Sequence, residues 1–94
     1  MAFSTPRVNV IESDEGFSVE VLGRTHLRYT EGPRTMVVDS EVLVGEPALA
    51  IYPSSMTNWD PPYGAEVIEK NIRDRMVDNI RRAFRFAGHE IVVL

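Results

Sequence analysis

The amino-acid sequence predicts an α+β domain in which one long amphipathic helix packs on one face of a mainly antiparallel sheet. Short segments of alternating apolar and polar residues fill the first half of the chain, and glycine-containing turns separate them. One segment with helical periodicity follows an irregular loop, and a run of β-branched residues closes the chain. A length of 94 residues fits a single domain spanning residues 1–94.

The first half of the chain predicts a β-meander of four to five strands joined by tight turns. Residues 17–21 (FSVEV) alternate apolar and polar side chains, which is the pattern of a half-buried strand. In residues 35–44 an apolar row is interrupted at Ser40, so we expect a bulge or a break near that residue. The predicted strands are residues 8–11, 17–21, 26–30, 35–44 and 48–52.

Residues 48–52 (ALAIY) are apolar at nearly every position, which predicts a strand that is covered on both faces or central in the sheet. The next segment, residues 53–64, contains three prolines and two serines, and these exclude regular structure through much of it. It is the one long loop in a chain whose other connections are short. Long loops in small domains often carry function.

The segment from Ala65 to Ala87 has the periodicity of a helix lying on a sheet. Its apolar residues form a stripe roughly 160° wide, and charged residues occupy the opposite side. Gly88 is placed to end the helix, and three arginines lie in the last two turns, where the helix dipole favours positive charge. Residues 89–94 are a predicted closing strand. The stripe comprises Ala65, Ile68, Ile72, Met76, Ile80, Ala83, Phe84, Phe86 and Ala87.

The composition excludes several classes of chemistry. The absence of cysteine excludes thiol catalysis, disulfides and every cysteine-based zinc or iron–sulfur site. With two histidines and no Gly-x-Gly sequence, we expect no metal and no phosphate-binding loop, and therefore no cofactor. The first residues lack a signal-peptide pattern, and no apolar run approaches the roughly 20 residues that span a bilayer. We expect a cytoplasmic protein without membrane contact.

The charge is distributed unevenly along the chain, whose net charge is −4. Residues 1–60 carry nine acidic and four basic side chains, whereas residues 61–94 carry five acidic and six basic ones. This balance argues against nucleic-acid binding as the main function. The alternative is a small nucleic-acid-binding or regulatory module that uses Arg81, Arg82 and Arg85 of the helix, although acidic residues share that face.

Catalytic motifs are weak in this sequence. Ser54 or Ser55 could form a triad with His89 and an aspartate, but no nucleophile-elbow glycines flank either serine. Asp39 and Glu41 lie two residues apart, so they face the same side of a strand. A solvated outer face explains them better than acid–base chemistry does. We therefore predict that the protein is not an enzyme.

The loop around Trp59 is the strongest candidate for contact with a partner. Residues 58–63 (NWDPPY) place a tryptophan and Tyr63 among prolines that restrict the backbone. Tryptophan and tyrosine are enriched among interface anchors because they bury a large area at low entropic cost. The only tryptophan of a small domain also often covers the edge of its core. Trp59 is therefore either a lid on the core or a partner anchor.

Several motifs follow one another in the second part of the chain. They are YTEGPR (29–34, read as Tyr-x-Glu-Gly-x-Arg), SE (40–41), ALAIY (48–52), NWDPP (58–62) and DNIRRA (78–83), followed by Gly88 and a closing strand. Over residues 26–94 this order resembles the Immunity protein 74 family of bacterial polymorphic-toxin systems. Residues 1–25 fit as additional strands.

The resemblance implies a non-enzymatic protein that neutralises a toxin encoded beside it by forming a stoichiometric complex. An acidic domain could steer association with a basic toxin such as a nuclease. An exposed strand edge could also pair two copies of the chain in a homo-oligomer. Our candidate partner-binding residues are Trp59, Asp60, Tyr63, Glu31, Arg34, Asp39 and Glu41.

Overall fold

Seven β-strands and one α-helix follow one another along residues 2–94, the part of the chain that the computed structural model describes. The helix, α1, is Lys70–Phe86, and a turn of 3-10 helix at Pro53–Ser55 precedes it. The strands are β1 (Phe3–Arg7), β2 (Val10–Ser13), β3 (Phe17–Val21), β4 (His26–Glu31), β5 (Arg34–Val42), β6 (Leu49–Ile51) and β7 (Ile91–Val93).

All seven strands form one sheet whose spatial order equals their order in the sequence. The pairings from β1 to β6 are antiparallel, as their short connections require. β6 and β7 are parallel, because the chain crosses back through the long loop and α1 between them. The predicted α+β class, with a mainly antiparallel sheet, one long helix and a C-terminal strand, is confirmed.

The core lies between α1 and the concave face of the sheet. Alternate residues of the strands point into it, and Leu27 and Tyr29 of β4 have no exposed surface. Met76 and Ile80 of α1 meet them from the other side and are equally buried. The helix packs against β2 and β3 and also against β7, which lie toward opposite ends of the sheet. The sheet therefore curls around α1.

The sequence pattern does not indicate the first strand, and the strand predicted at residues 8–11 forms as β2 at Val10–Ser13. Residues 3–7 form β1, so the meander has six strands rather than four or five. The sequence FSTPR lacks apolar alternation, and Pro6 cannot donate a hydrogen bond to a neighbouring strand. Both features suit an edge strand, which has a neighbour on one side only. The register of β1 with β2 shifts between Ser4 and Arg7.

The expected bulge at Ser40 is wrong. β5 runs through this residue, with Asp39 opposite His26 of β4 and Ser40 opposite Ile51 of β6. Ser40 points into the core, where its small side chain is buried in line with the apolar residues before it. The apolar row ends there, because Val42 lies at the end of the strand and is exposed.

The helix begins at Lys70 and not at Ala65. Before it, the N–H of Glu66 donates to the carbonyl of Tyr63 and closes a turn, and Glu69 has an extended backbone. Ile68 packs against the core from this non-helical segment. Its spacing in the sequence fits the apolar stripe of the helix, although the residue lies before the helix begins. Tertiary packing thus places an apolar residue that the periodicity assigns to the helix.

The end of the helix follows the prediction. Gly88 adopts φ of +87°, a left-handed conformation that glycine accepts without strain. Its N–H donates to the carbonyl of Arg85, and the N–H of His89 donates to the carbonyl of Phe84, which together form a Schellman motif. The motif turns the chain toward β7. Within residues 2–94, no helix combines the length and apolar character that a membrane crossing needs.

The segment predicted to be a strand covered on both faces or central in the sheet forms β6, an inner strand next to the last one. All three residues of β6 are buried, and the strand lies between β5 and β7. The backbone N–H of Ala48, just before β6, donates to the carbonyl of Glu90, which joins the start of β6 to the start of β7. The C-terminal strand β7 therefore pairs with β6, the last strand of the meander.

Candidate partner-binding site

The long loop after β6 is fastened to the start of β5 at two points. At the first, the N–H of Asp60 donates to the carbonyl of Thr35 over 2.8 Å, and the Thr35 hydroxyl donates to the Asp60 carboxylate over 2.9 Å. At the second, the Arg34 guanidinium donates to both oxygens of Glu66 over 2.8 Å each. Arg34 also lies over the ring of Tyr63, 4.5 Å from its centre. These contacts hold the loop in one position.

The ion pair between Arg34 and Glu66 makes the second fastening sensitive to acid. The hydrogen bonds from Arg34 lower the pKa of the Glu66 carboxyl below its ordinary value, while burial acts in the opposite direction. Because the pKa is lowered in the folded state, the pair contributes above the ordinary pKa of glutamate. Its contribution is lost as the pH falls through the lowered pKa.

Trp59 lies underneath this loop and not on its surface. Its side chain is 5% exposed and belongs to the same buried cluster as Tyr29 and Met56. The rings of Trp59 and Tyr29 are stacked at 6.4 Å with an interplanar angle of 27°. This packing matches the lid alternative. The groups next to Trp59 that remain partly exposed, Asp60 and Tyr63 among them, are better placed for direct contact with a partner.

A network of polar side chains joins the end of β4 to α1. The Tyr29 hydroxyl donates to Glu31 over 2.9 Å and accepts a hydrogen bond from the Asn79 amide over 2.9 Å. Arg75 donates to both oxygens of Glu31, over 2.6 and 2.9 Å. Arg82 donates to the Asn79 carbonyl oxygen. Burial is the largest cause that raises the pKa of the Tyr29 hydroxyl, so this group remains protonated.

The network opens into a cleft of about 410 Å³ between α1 and the sheet. Of the residues that line this cleft, the predicted partner-binding set includes only Glu31, and the nucleic-acid alternative includes Arg82. The signal for the others is Asn79, which lies about 60° from Met76 around the helix and therefore inside the apolar stripe. A polar residue in that position indicates a buried hydrogen-bond partner. The cleft is lined by Glu15, Phe17, Glu31, Arg75, Asn79 and Arg82.

Asp39 and Glu41 lie on the convex face of the sheet, which points away from α1. Asp39 is 3.5 Å from the His26 ring, and Glu41 accepts a hydrogen bond of 3.2 Å from the Tyr52 hydroxyl. Thr35 shares their parity on β5, so the Asp60 carboxylate that it binds lies beside the same face. Asp39, Glu41 and Asp60 therefore belong to one surface.

The other candidate residues lie at the end of the sheet where β4 turns into β5. Glu31 and Arg34 are cross-strand partners there, and Tyr63 packs against Arg34. The seven candidate residues thus divide into an acidic group on the convex face, a mixed group at this end of the sheet, and the buried Trp59.

Comparison with known proteins identifies the family of this chain. The family model for Immunity protein 74 matches residues 18–94, which include α1 and all strands from the second residue of β3 onward. The chain belongs to the Immunity protein 74 family. No curated protein and no solved structure matches it significantly.

Membership in the Immunity protein 74 family confirms the resemblance, and the matched region begins eight residues earlier than residue 26. β1 and β2 lie before the matched region, yet Ile11 of β2 is part of the core and Phe3 of β1 packs against it. In this family member, the matched region is completed by the two N-terminal strands.

The residues considered for catalysis make separate contacts in this member of the family. The Ser55 hydroxyl donates to the Tyr52 carbonyl over 2.7 Å and accepts from the Asp39 N–H over 3.0 Å. His89 lies 3.1 Å from Glu46 instead. Among residues 2–94, no group of three or more histidine, aspartate or glutamate side chains is arranged to hold a metal ion.

Two of the three arginines named in the nucleic-acid alternative, Arg82 and Arg85, lie close to carboxylates, whereas Arg81 has no such neighbour within residues 2–94. Arg82 lies 3.4 Å from Glu15 and 3.5 Å from Asp78, and Arg85 lies 3.3 Å from Glu90. A surface on which each of these guanidinium groups has an acidic neighbour has little net positive potential for a phosphate backbone. The pairing of Arg82 and Arg85 with acidic neighbours therefore argues against the nucleic-acid alternative.

Proposed function

We propose that this chain is an immunity protein that binds a cognate toxin in the cytoplasm and neutralises it by forming a stoichiometric complex, without catalysing a reaction. The observation that carries the proposal is the match of residues 18–94 to the Immunity protein 74 family. The proposed contacts are the candidate residues that keep accessible surface. Asp39 and Glu41 are exposed, and Asp60, Tyr63, Glu31 and Arg34 are partly exposed.

The local structure supports a binding role because the candidate residues are held before any partner arrives. Asp60 is fixed to Thr35, and Arg34 is fixed to Glu66, so the loop has little freedom to lose on binding. Trp59 and Tyr29 fill the space below the loop. A preorganised surface binds more tightly than a mobile one because less conformational entropy is lost in the complex.

The proposal is tested by co-expressing the chain with the toxin domain encoded beside it. We expect growth to be restored and the two proteins to co-purify in a fixed ratio, measured by size-exclusion chromatography with light scattering. The toxin expressed with an empty vector provides the control. Unchanged toxicity together with no co-purification would contradict the proposal.

A further inference from the structure

The convex face of β2–β5 lies on the side of the sheet opposite α1. We call it the outer sheet face. Its side chains alternate with the core residues along each strand, so they point away from α1. It consists of Val10, Glu12, Ser18, Glu20, His26, Arg28, Thr30, Thr35, Val37, Asp39 and Glu41, with Arg7 at the β1 side and Asp60 held beside Thr35.

This face carries most of the net negative charge of the chain. Five carboxylates and two guanidinium groups lie on it, which leaves a charge of −3 out of the total of −4 when histidine is neutral. Arg7 and Arg28 both lie against Glu20, at 3.8 and 2.8 Å. Within residues 2–94, the other four carboxylates of the face have no arginine or lysine partner. They are Glu12, Asp39, Glu41 and Asp60.

The shape of the outer sheet face also suits a protein partner. Val37 is 39% exposed on β5, the last of the four strands of this face, with Thr35 and Asp39 beside it along β5 and Arg28 opposite it on β4. An apolar centre within a polar rim is the usual anatomy of an interface. A depression of about 310 Å³ lies toward the other side of the face, lined in part by Glu12, Ser18 and Thr30. A lysine or arginine side chain entering this depression would reach the Glu12 carboxylate.

We propose that the outer sheet face is the surface that binds the toxin, and that the toxin presents a lysine- and arginine-rich surface to it around an apolar contact at Val37. This inference rests on the proposed function. Charge complementarity favours a basic toxin over a second copy of the chain, because two copies would bring two faces of charge −3 together. By contrast, carboxylates on α1 such as Asp74 and Asp78 already lie against Lys70 and Arg82.

The first test removes charge from the outer sheet face without changing its shape. The variant carries Asp39→Asn, Glu41→Gln and Asp60→Asn, and association with the purified toxin domain is measured by stopped flow at low and high salt. We expect association at low salt to slow by about tenfold or more, and its dependence on salt to weaken, because electrostatic steering is lost.

A matched control removes the same charge from the helix side. The variant Glu69→Gln, Asp74→Asn, Asp78→Asn also changes the net charge from −4 to −1. We expect its association rate to stay within about twofold of the parent rate, because these groups lie away from the proposed interface. Equal slowing in the two variants would mean that the total charge matters and not this face, and would overturn the inference.

The second test places a bulky cation at the proposed centre. Val37→Arg should weaken toxin binding by about 100-fold or more, since interface centres carry most of the binding energy. Val67→Arg is the control, because Val67 is exposed in the segment before α1. Melting curves check that both variants fold. If the parent does not bind the toxin, the proposed function fails together with the inference. If the parent binds and Val37→Arg binds equally well, only the inference is overturned.

Discussion

At the scale of single residues, Tyr29 combines core packing with two hydrogen bonds in one side chain. Its ring fills the core beneath Trp59, while its hydroxyl donates to Glu31 and accepts from Asn79. Asn79 is itself 6% exposed, so its amide has little access to water. A buried donor that loses its acceptor costs more than an average hydrogen bond contributes. Asn79 therefore requires a hydrogen-bond acceptor at residue 29, which lies 50 positions earlier in the sequence.

Tyr29→Phe should lower the free energy of unfolding by about 1–3 kcal/mol, because the Asn79 amide loses its acceptor while the aromatic packing is kept. For a domain of this size, that corresponds to a decrease in melting temperature of about 4–8 °C per kcal/mol. Thermal and urea unfolding measure the change. Tyr52→Phe is the matched control, since the Tyr52 hydroxyl makes an exposed bond to Glu41 and its removal should change the melting temperature little. Equal melting temperatures in the two variants would contradict this account of the network.

At the scale of elements, local patterns predict the regular segments well and the contacts between them poorly. The stripe of α1, its end at Gly88 and the alternation in β3 and β4 can all be read along the chain, because each depends on residues a few positions apart. β1 escapes prediction because an edge strand needs little apolar alternation.

The candidate site shows the same division. The composition of the loop indicates Trp59 and Tyr63, but the pairs that hold the site join distant residues. Arg34 meets Glu66 across 32 positions, and Arg75 meets Glu31 across 44. No local pattern specifies such pairs, because they depend on the register of the sheet and on where α1 crosses it. Whether Trp59 is buried or exposed depends on the same register and on the same position of α1.

The fastening of the loop can be tested through Arg34→Ala. This change removes the two hydrogen bonds to Glu66 and the contact with the Tyr63 ring, while leaving the bond between Asp60 and Thr35. We expect faster amide hydrogen exchange at Glu66 and in the adjoining residues, and unchanged exchange in the middle of α1.

Arg85→Ala provides the comparison for this experiment. It removes an exposed ion pair with Glu90 at the far end of the helix, so exchange in the loop should match the parent. Protection at Glu66 that is the same in Arg34→Ala and in the parent would show that the ion pair does not hold the loop.

At the scale of the whole molecule, the curled sheet leaves two edges, and α1 bridges between them. At one edge, Phe3 of β1 packs against Phe86 at the end of α1 and against Phe17 of β3. At the other edge, α1 leads through the Schellman motif into β7. The helix therefore connects the first strand to the last. The region matched by the family begins at residue 18. The contact between β1 and α1 therefore depends on Phe3, which lies outside that region.

Phe3→Ala tests whether the N-terminal strand is part of one cooperative unit with the rest of the fold. The ring centres of Phe3 and Phe17 are 5.9 Å apart, and those of Phe3 and Phe86 are 5.4 Å apart. Each such aromatic pair contributes about 0.5–1.5 kcal/mol, so losing both should lower the free energy of unfolding by about 1–3 kcal/mol. Val8→Ala is the control, because Val8 is fully exposed in the next turn and its truncation should change nothing measurable.

Two probes follow unfolding, Trp59 fluorescence for the core under the loop and far-ultraviolet circular dichroism for α1. If β1 belongs to one cooperative unit, both transitions shift together to lower denaturant concentration. If Phe3→Ala leaves both transitions where they are in the parent, β1 is only an attached strand and the closure of the curled sheet does not depend on it.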